Sequence, residues 1–294
     1  MTRPRSVAAG LSLLALGGAQ LHRHRAKVAR RMAASGIRAT AVEEALAADA
    51  AAVREGEPRD GGPLLVAVMA AFDEAGSIGP LLATLPDTLC GLRVRTVVVD
   101  DGSSDGTPRE ARRAGALVAT HRRNLGQGDA LRTGFALAAR LGATVVVTMD
   151  ADGQHDPADL AELVGPVVAG EAAYVQGSRF LGRYDDAGGA RDLGIRGFTR
   201  LIAVLSHTPI TDCTNGFRAV DGPSLARLQL VEDRFSAPEI LIQAAGQGLR
   251  IREVPVHIRS REVGESKKPR GLGYPLGFLG AIVRSWLRAR RTGS

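Results

Sequence analysis

Five short apolar runs recur along the middle of the chain, and each has the length of a β-strand. They are Leu64–Ala70, Val94–Asp100, Ala116–Thr120, Thr144–Asp150 and Ala172–Gly177. The apolar character is nearly continuous within each run, which predicts strands that are covered on both faces of a sheet. Helical signals separate the runs, namely the capped starts Thr107–Glu110 and Asp156–Asp159 and the amphipathic stretch Gly128–Gly142. This alternation predicts an α/β fold with a doubly wound, mostly parallel sheet flanked by helices.

The two ends of the chain carry apolar patterns of another kind. Ser6–Leu21 is apolar but short and glycine-rich for a spanning helix, so a shallow membrane anchor, an ordinary helix and a signal or spanning segment all remain open. Gly273–Arg291 combines an apolar side with arginines, which fits a helix on an anionic membrane face and equally a core-packed helix. The second apolar, basic segment at the N-terminus favours the membrane for the C-terminal helix, whereas the three alternatives for Ser6–Leu21 stay open.

These patterns divide the chain into three parts. Residues 1–63 form an N-terminal helical, membrane-proximal extension and linker, residues 64–271 form the main domain, and residues 272–294 form a basic amphipathic helix. The formal net charge of +7 predicts anionic partners. Nucleic acid is a weak candidate, because only 4% of the residues are aromatic and few side chains can stack on bases. Cys90 and Cys213 have no metal-binding spacing and indicate free thiols in a reducing compartment.

Polar side chains follow the predicted strands at the points where the strands end. In open α/β sheets, ligands bind at these carboxyl ends. Asp150 and Asp152 are two residues apart, so in an extended segment their carboxylates point to the same place and repel each other. A divalent cation would remove this repulsion, and two carboxylates with the amide oxygen of Gln154 suit Mg²⁺ or Mn²⁺. An isolated Asp-x-Asp is also a common turn former, so this pair alone does not decide the function.

Six motifs occur in a characteristic order along the chain: VVVDDGSSDGT, NLGQGDALRTGF, DADGQHDP, GSRF, TDCTNGFRA and REVGESK. Together they resemble the inverting family 2 glycosyltransferases of the GT-A fold, and most of all the dolichyl- or polyprenyl-phosphate mannose synthase-like branch. The resemblance covers about Leu64–Gly271 and implies a Rossmann-like GT-A domain. It also implies a nucleotide-diphosphate sugar as donor, with Mg²⁺ or Mn²⁺ as cofactor.

The resemblance implies roles for residues around the donor. Asp150, Asp152 and Gln154 match the metal segment, and Asp152 counts as catalytic. The residues implied to bind the nucleotide sugar are Ala71, Phe72, Glu74, Asp100, Asp101, Gly128 and Asp150. The segment AAFDEA has Phe72 and Asp73 where the family usually has Tyr and Asn, and it lacks the usual proline. The base, uracil or guanine, therefore stays open.

Basic residues after the predicted sheet indicate where an acceptor phosphate binds. The implied phosphate ligands are Arg179, Arg196, Arg200, Arg218, Arg261 and Lys267, and Arg179, Arg261 and Asp212 are also counted as catalytic. A lipid phosphate already carries its nucleophilic oxygen and needs no strong base. A hydroxyl acceptor needs a carboxylate base, for which Asp212 is the first candidate and Glu239 the second. Asp212 could equally orient Arg218 or cap a turn.

The sequence therefore predicts a metal-dependent, inverting transferase that moves a hexose from a nucleotide-diphosphate sugar to a polyprenyl phosphate. Nucleotide sugars and free thiols place it in the cytoplasm, on the inner face of the cell membrane. The alternative is a soluble family 2 transferase that acts on a hydroxyl of a glycan or small molecule, with Asp212 as its base. The acidic pair, Arg179 and Arg261 argue against a non-catalytic binding protein.

Overall fold

The computed structural model of the protein describes residues 33–50, 62–185, 189–260 and 273–292. The strands in these ranges are β1 (Leu64–Ala71), β2 (Thr88–Leu89), β3 (Leu92–Asp100), β4 (Leu117–Thr120), β5 (Val145–Asp150), β6 (Tyr174–Tyr184), β7 (Arg218–Asp221) and β8 (Ile251–Ile258). The helices are α1 (33–50), α2 (Ala75–Ala83), α3 (Thr107–Arg113), α4 (Gln127–Arg140), α5 (Leu160–Val168), α6 (Ala190–Ser206), α7 (Gly222–Arg227), α8 (Ser236–Gly246) and α9 (Gly273–Thr292).

The strands form one sheet in the order β2-β3-β1-β5-β7-β6-β8, with β4 also paired to β3. β4, β3, β1 and β5 run parallel, as the sequence predicts. β7 lies antiparallel between β5 and β6, and β8 runs parallel to β6. The sheet is therefore mixed. Because β7 reverses direction, the loop before it enters the sheet at the edge where β1, β3, β5 and β6 end.

Helices cover both faces of the sheet, which confirms the predicted doubly wound arrangement. Alternate residues of β1 face opposite sides, so Val66 and Val68 belong to one buried cluster while Leu65 and Met69 belong to the other. The first cluster includes residues of α1, α4, α8 and α9, and the second includes residues of α2, α3 and α5. A strand buried on both faces has no need of polar alternation, and this explains the continuous apolar runs.

The helix α1 packs against the main domain. Ala41, Val42 and Ala45 are buried in the first cluster. Two ion pairs hold the helix on the domain: Arg38 pairs with Asp129 of α4, and Asp49 near the end of the helix pairs with Arg95 of β3. This part of the predicted membrane-proximal extension is therefore in contact with the domain. The apolar run at 6–21 and the linker at 51–61 lie outside the described residues.

The helix α9 also packs against the domain, but with a face that the sequence pattern did not single out. Phe278, Ile282 and Ala289 are buried. The sequence predicts an apolar side made of Leu276, Leu279, Val283, Trp286 and Leu287, and of these only Trp286 packs against the first cluster. The exposed fractions are 69% for Leu276, 38% for Leu279, 43% for Val283 and 47% for Leu287. The core-packed interpretation thus holds for one face only. Within the described ranges, every helix falls short of the combined length and apolarity needed to cross a bilayer.

Candidate active site

Strand register brings the predicted acidic residues to one edge of the sheet. β1 lies between β3 and β5, with Ala71 opposite Asp100 and Ala70 opposite Asp150. The backbone N–H of Asp101 also donates to the carbonyl of Ala71 (2.8 Å). The carboxylates that end β3 and β5 therefore flank the end of β1.

Asp150 and Asp152 are held by short-range contacts. The Asp150 side chain is 36% exposed, and its Oδ1 accepts from Gln127 Nε2 at the start of α4 (3.3 Å). Gly216 lies against this carboxylate, since a Cβ at that position would be 2.9 Å from Asp150 Oδ1. Asp152 Oδ1 accepts from the backbone N–H of Gln154 (3.1 Å), which closes a turn after the strand. The two carboxylates stay at the same end of β5.

A buried histidine supports the turn that carries them. Nδ1 of His155 accepts from the backbone N–H of Asp150 (2.9 Å), and Nε2 donates to Asn215 Oδ1 (3.0 Å). The ring stacks on Phe217 with 4.7 Å between centroids. Burial lowers the pKa of His155 against the opposing effect of the nearby aspartates. The histidine is therefore a neutral support for the acidic turn, as its partners require.

The donor atoms at this turn fit a hard divalent cation. Carboxylate oxygens of Asp150 and Asp152 and the amide oxygen of Gln154 are the ligand type that Mg²⁺ and Mn²⁺ take. No group of three or more His, Cys, Asp or Glu side chains suited to a metal occurs among the described residues. Two carboxylates and an amide oxygen would leave other positions of such a cation for water and substrate phosphates.

Arg179, in the middle of β6, is a buried cation that the loop before β7 holds in place. Its Nε donates to Asp212 Oδ2 (2.6 Å), and Nη2 donates to Thr214 Oγ1 (3.1 Å). The guanidinium also lies over the ring of Tyr184 at 5.2 Å. Arg179 is 8% exposed and Asp212 is fully buried. A buried ion pair of this kind fixes the direction of the guanidinium.

One loop joins the two charged groups. In the loop Asp212–Phe217, Thr214 bonds to Arg179, while Gly216 lies against Asp150 and Asn215 bonds to His155. Asn215 is itself fixed, because its Nδ2 donates to the carbonyl of Gly177 (2.9 Å). The loop thus sets a carboxylate pair and an arginine side by side at the edge of the sheet.

The segment after β1 is fixed by the segment after β3. The backbone N–H of Asp73 donates to Ser103 Oγ, and the N–H of Glu74 donates to Thr107 Oγ1, each at 2.8 Å. Phe72, at the start of this segment, is half-buried. Asp100 is 1% exposed, and its Oδ2 has no hydrogen-bond partner within the described parts of the chain. Burial raises the pKa of Asp100, and hydrogen bonds from Ser103 lower it in part.

Comparison with known proteins identifies the family. A model described as Glycosyl transferase family 2 matches residues 66–228. The chain belongs to this family. It is 31% identical over 204 residues to the UDP-N-acetylglucosamine–dolichyl-phosphate N-acetylglucosaminyltransferase of Methanococcus voltae, covering 62% of this chain and 80% of that one. It is 33% identical over 196 residues to the polyprenol monophosphomannose synthase of Mycolicibacterium smegmatis, covering 60% of this chain and 70% of that one.

Comparison with a solved structure identifies the fold. Glucosyl-3-phosphoglycerate synthase from Mycobacterium tuberculosis, in complex with Mn²⁺, uridine diphosphate and phosphoglyceric acid, superposes with a TM-score of 0.61 at 21% identity. The match covers 78% of this chain and 79% of that chain. The protein is thus a family 2 glycosyltransferase with the GT-A fold, and the predicted fold and enzyme class are confirmed.

Two residues predicted to bind the nucleotide sugar serve the fold of this family 2 domain instead. Asp101 Oδ1 accepts from His121 Nδ1 (2.7 Å) and the N–H of Leu125 (2.9 Å), and Oδ2 accepts from the N–H of Gly126 (2.7 Å). The carboxylate therefore fastens the loop before α4. At Gly128, a Cβ would lie 2.1 Å from the carbonyl oxygen of Glu232, so the glycine permits close packing. Both interpretations as direct ligands are corrected.

The prediction that Arg218 binds phosphate also needs correction, whereas one of the alternatives for Asp212, a turn cap, is found. Arg218 is 2% exposed and donates to the carbonyls of Asn215, Ala237 and Gly216, so it cannot reach a phosphate. It fell within a recognisable motif, but it is the first residue of β7 and points into the core. Asp212 orients Arg179 rather than Arg218, and it also caps a turn by accepting from the N–H of Thr214 (3.1 Å).

The second candidate base, Glu239, is buried at a distance from the strand ends. It is fully buried and accepts from the backbone N–H groups of Val231 and Glu232 (2.9 Å each) and from Arg288 Nη2 (2.8 Å). Burial raises the pKa of Glu239, although these donors lower it. Its contacts make it a support for the loop before α8, which corrects its interpretation as a base.

The remaining predicted cations fall into two groups. Arg196 and Arg200 are exposed on α6, and the guanidinium of Arg196 lies 4.1 Å from the ring centroid of Phe180. Arg261 and Lys267 lie outside the described residues. The strand that leads to them is tied to the acidic turn, because the N–H of Arg259 donates to the carbonyl of Gln154 (2.8 Å).

Sequence reasoning missed several supporting residues. Thr214, Asn215 and Gly216 stand inside the motif TDCTNGFRA, in which only the charged residues Asp212 and Arg218 were predicted to act. Gln127 stands inside NLGQGDALRTGF and contacts Asp150. The signal that was available is the motif itself, since short polar residues and glycine in a fixed motif often hold the charged ones. The partner of Asp101, His121, lies between two motifs and had no such signal.

Proposed function

We propose that this family 2 transferase moves a hexose from a nucleotide-diphosphate sugar to a polyprenyl phosphate, in a metal-dependent reaction at the cytoplasmic face of a membrane. The observation that carries the proposal is the loop Asp212–Phe217, which contacts Asp150 on one side and Arg179 on the other. We call the acidic ends of β3 and β5 the donor side, and Arg179 with this loop the acceptor side.

On the donor side, Asp150, Asp152 and Gln154 would hold Mg²⁺ or Mn²⁺. When bound, the cation supplies positive charge against the diphosphate leaving group. Gln127 is a neutral donor to Asp150, so it orients the carboxylate without adding a competing positive charge. The solved relative described above was crystallised with Mn²⁺ and uridine diphosphate, and also with Mg²⁺ and uridine diphosphate, which supports this part of the proposal.

On the acceptor side, Arg179 would bind the phosphate of the acceptor. Its Nε donates to Asp212 and its Nη2 donates to Thr214. The guanidinium is therefore oriented before the phosphate arrives and loses little conformational freedom on binding. Arg196 and Arg200 would add positive charge from α6, and Arg261 and Lys267 remain in the proposal through their motif. A phosphate oxygen is already a nucleophile, so the site needs charge screening and alignment more than a base. Relatives named for dolichyl phosphate and polyprenol support a lipid acceptor.

The alternative, transfer to a hydroxyl with Asp212 as base, is less well supported. Asp212 is fully buried, and both of its oxygens accept hydrogen bonds from Arg179 and Thr214. A general base must reach the proton that it removes. The cytoplasmic location follows from the proposed donor, and the two free cysteines agree with a reducing compartment.

The direct test is a panel of labelled donors offered with a short-chain polyprenyl phosphate and Mg²⁺. UDP-glucose, UDP-galactose, UDP-N-acetylglucosamine and GDP-mannose would be compared by counting the label that enters the organic phase. We expect one donor to be preferred and excess chelator to abolish its transfer. Label that enters only water-soluble products in the presence of a neutral alcohol would support the alternative instead.

A further inference from the structure

The helix α9 is apolar on two opposite faces. Phe278, Ile282 and Ala289 pack into the domain. Leu276, Leu279, Val283 and Leu287 follow one another at helical spacing on the other side, and each is more than a third exposed. We call these four residues the outer stripe. A helix on the surface of a globular protein normally carries polar residues on its outward face, so the outer stripe is unexplained by the packing of the fold.

The orientation of α9 is fixed, so the outer stripe cannot turn inward. Trp286 Nε1 donates to the carbonyl of Leu205 in α6 (3.0 Å). Arg288 Nη2 donates to the buried carboxylate of Glu239 in α8 (2.8 Å). Gly246 of α8 packs closely against Ala289, since a Cβ there would lie 2.7 Å from that side chain. Rotating the helix would break all three contacts.

The charge beside the outer stripe is positive. α9 contains no acidic residue, and its charged residues are all arginines. Arg284 and Arg288 are paired with Glu232. Arg290 stands seven residues after Val283, which puts it in line with the stripe, and its guanidinium lies 4.3 Å from the ring centroid of Trp286. Arg291 is exposed beside it. An apolar stripe that ends in arginines matches an anionic interface with an apolar interior.

We propose that the outer stripe docks α9 on the surface of an anionic lipid bilayer, with the helix lying in the plane of the interface. The apolar side chains would enter the acyl boundary, and Arg290 and Arg291 would meet lipid phosphates. This inference rests on the proposed function, because a polyprenyl phosphate acceptor is held in such a bilayer. It assigns the surface that brings the enzyme to its acceptor.

A second copy of this chain is the main rival for the outer stripe. In a parallel pair of α9 helices, the arginine ends would meet and repel each other. In an antiparallel pair, neither arginine end would find a carboxylate on the opposing helix, because α9 has none. Anionic lipid offers partners to the stripe and to the arginines at once, so the bilayer is the better occupant.

Flotation of the full chain with vesicles tests the proposal. Phosphatidylcholine vesicles would be compared with vesicles that also contain phosphatidylglycerol. We expect binding to the anionic vesicles to fall about tenfold or more in Leu279→Ser/Leu287→Ser, because two anchoring side chains are lost. Arg290→Glu/Arg291→Glu should lose the preference for anionic lipid. The matched control is Val168→Ser, which removes an exposed apolar residue from α5 on the other face of the sheet and should bind as the wild type does.

Transfer measured on two forms of the acceptor separates this proposal from the proposed function. With a short-chain polyprenyl phosphate dispersed in detergent, Leu279→Ser/Leu287→Ser should keep the wild-type rate. With a long-chain acceptor in anionic vesicles, its rate should fall about in proportion to binding. Absence of transfer in both forms for the wild type would refute the proposed function and leave the flotation result standing. Equal flotation of wild type and Leu279→Ser/Leu287→Ser would overturn the docking proposal, as would a wild-type dimer that this variant dissociates.

Discussion

The donor side and the acceptor side of the site are built in different ways. On the donor side, Asp100 and Asp150 stand at the ends of parallel strands, and the register with β1 brings their backbones together. On the acceptor side, Arg179 is directed by Asp212 and Thr214 from a loop that is far away in sequence. A short side chain on a regular strand is positioned by the backbone, whereas a long one is positioned by its partners. Mutations of non-contacting residues should therefore matter more on the acceptor side.

The largest effect is expected from Asp152→Asn on the donor side. Loss of this carboxylate should lower kcat by about 10²-fold or more, because charge that develops in the transition state loses its counterpart. Initial rates at saturating donor and acceptor, with Mg²⁺ present, measure the effect. Asp87→Asn removes an exposed carboxylate near the other end of β3 and should leave the rate unchanged. A rate for Asp152→Asn within a few-fold of the wild type would remove this residue from the mechanism.

The next largest effect is expected on the acceptor side, from Asp212→Asn and Arg179→Lys. Each should lower transfer about tenfold or more, since either change loosens the direction of the guanidinium. If Asp212 acts only through Arg179, the double variant should be little worse than the worse single variant. Binding of the nucleoside diphosphate with Mg²⁺ should stay close to the wild-type value in all three.

The same variants distinguish positioning from base catalysis at Asp212. A positioning role leaves the pH dependence of kcat unchanged in Asp212→Asn and lets Arg179→Lys reproduce its effect. A base would instead make transfer to a neutral alcohol collapse in Asp212→Asn while Arg179→Lys retains it. That second result would favour the hydroxyl acceptor. Asp212 would then be a catalytic base and not a residue that positions Arg179.

The strands that the sequence predicts well are those with a continuous apolar run. All five predicted strands occur in the structure, four as the parallel strands β1, β3, β4 and β5 and the fifth as the start of β6, because continuous apolar runs reflect burial on both faces. The strands β7 and β8 escaped prediction. β7 is four residues long and begins with a buried arginine, so it has no apolar run of its own. β8 alternates between buried and more exposed positions.

Whether a site residue can be found from the sequence depends on whether the backbone or tertiary contacts position its side chain. The position of Asp150 follows from the end of a strand, so reading the sequence is enough to find it. Arg218 and Arg179 look alike in sequence, since both stand in motifs near glycine. Arg218 donates to backbone carbonyls in the core, whereas Arg179 donates to the carboxylate of Asp212. Only the tertiary contacts distinguish them, because an arginine side chain reaches several different surroundings from the same backbone position.

A moderate loss of stability is expected from Arg288→Ala in α9. Through Glu239, Arg288 holds the loop that packs against the start of α4. Arg288 pairs with the buried Glu239, and Glu239 holds the N–H groups of Val231 and Glu232. The carbonyl of Asp233 in that loop accepts from Gly128 at the start of α4. Loss of the arginine should lower the free energy of unfolding by about 1–3 kcal/mol, because a buried carboxylate loses a donor.

The pH dependence of Arg288→Ala has a definite sign. Burial already raises the pKa of Glu239, and Arg288 is one of the groups that lower it. A carboxyl whose pKa is higher when folded stabilises the fold most at low pH, and this contribution is lost as the pH rises through the folded pKa. The deficit of Arg288→Ala should therefore be larger at pH 8 than at pH 5 in urea unfolding. Arg291→Ala is the control, and a deficit that is the same at both pH values would show that Glu239 is not the group involved.

The smallest effect is expected from Arg200→Ala on the acceptor side. Arg200 is exposed on α6, one turn from Arg196, and the contact of an exposed cation with a phosphate is worth about 0.4–1 kcal/mol. The KM for the polyprenyl phosphate should therefore rise about two- to fivefold, with kcat and the KM for the donor unchanged. Raising the salt concentration should shrink the difference, because exposed charges are screened. Arg227→Ala on α7 removes an exposed arginine near the amino end of β5 and should change neither KM. An equal rise in both KM values for Arg200→Ala would mean that α6 faces the donor as well, and the division of the site into two sides would fail there.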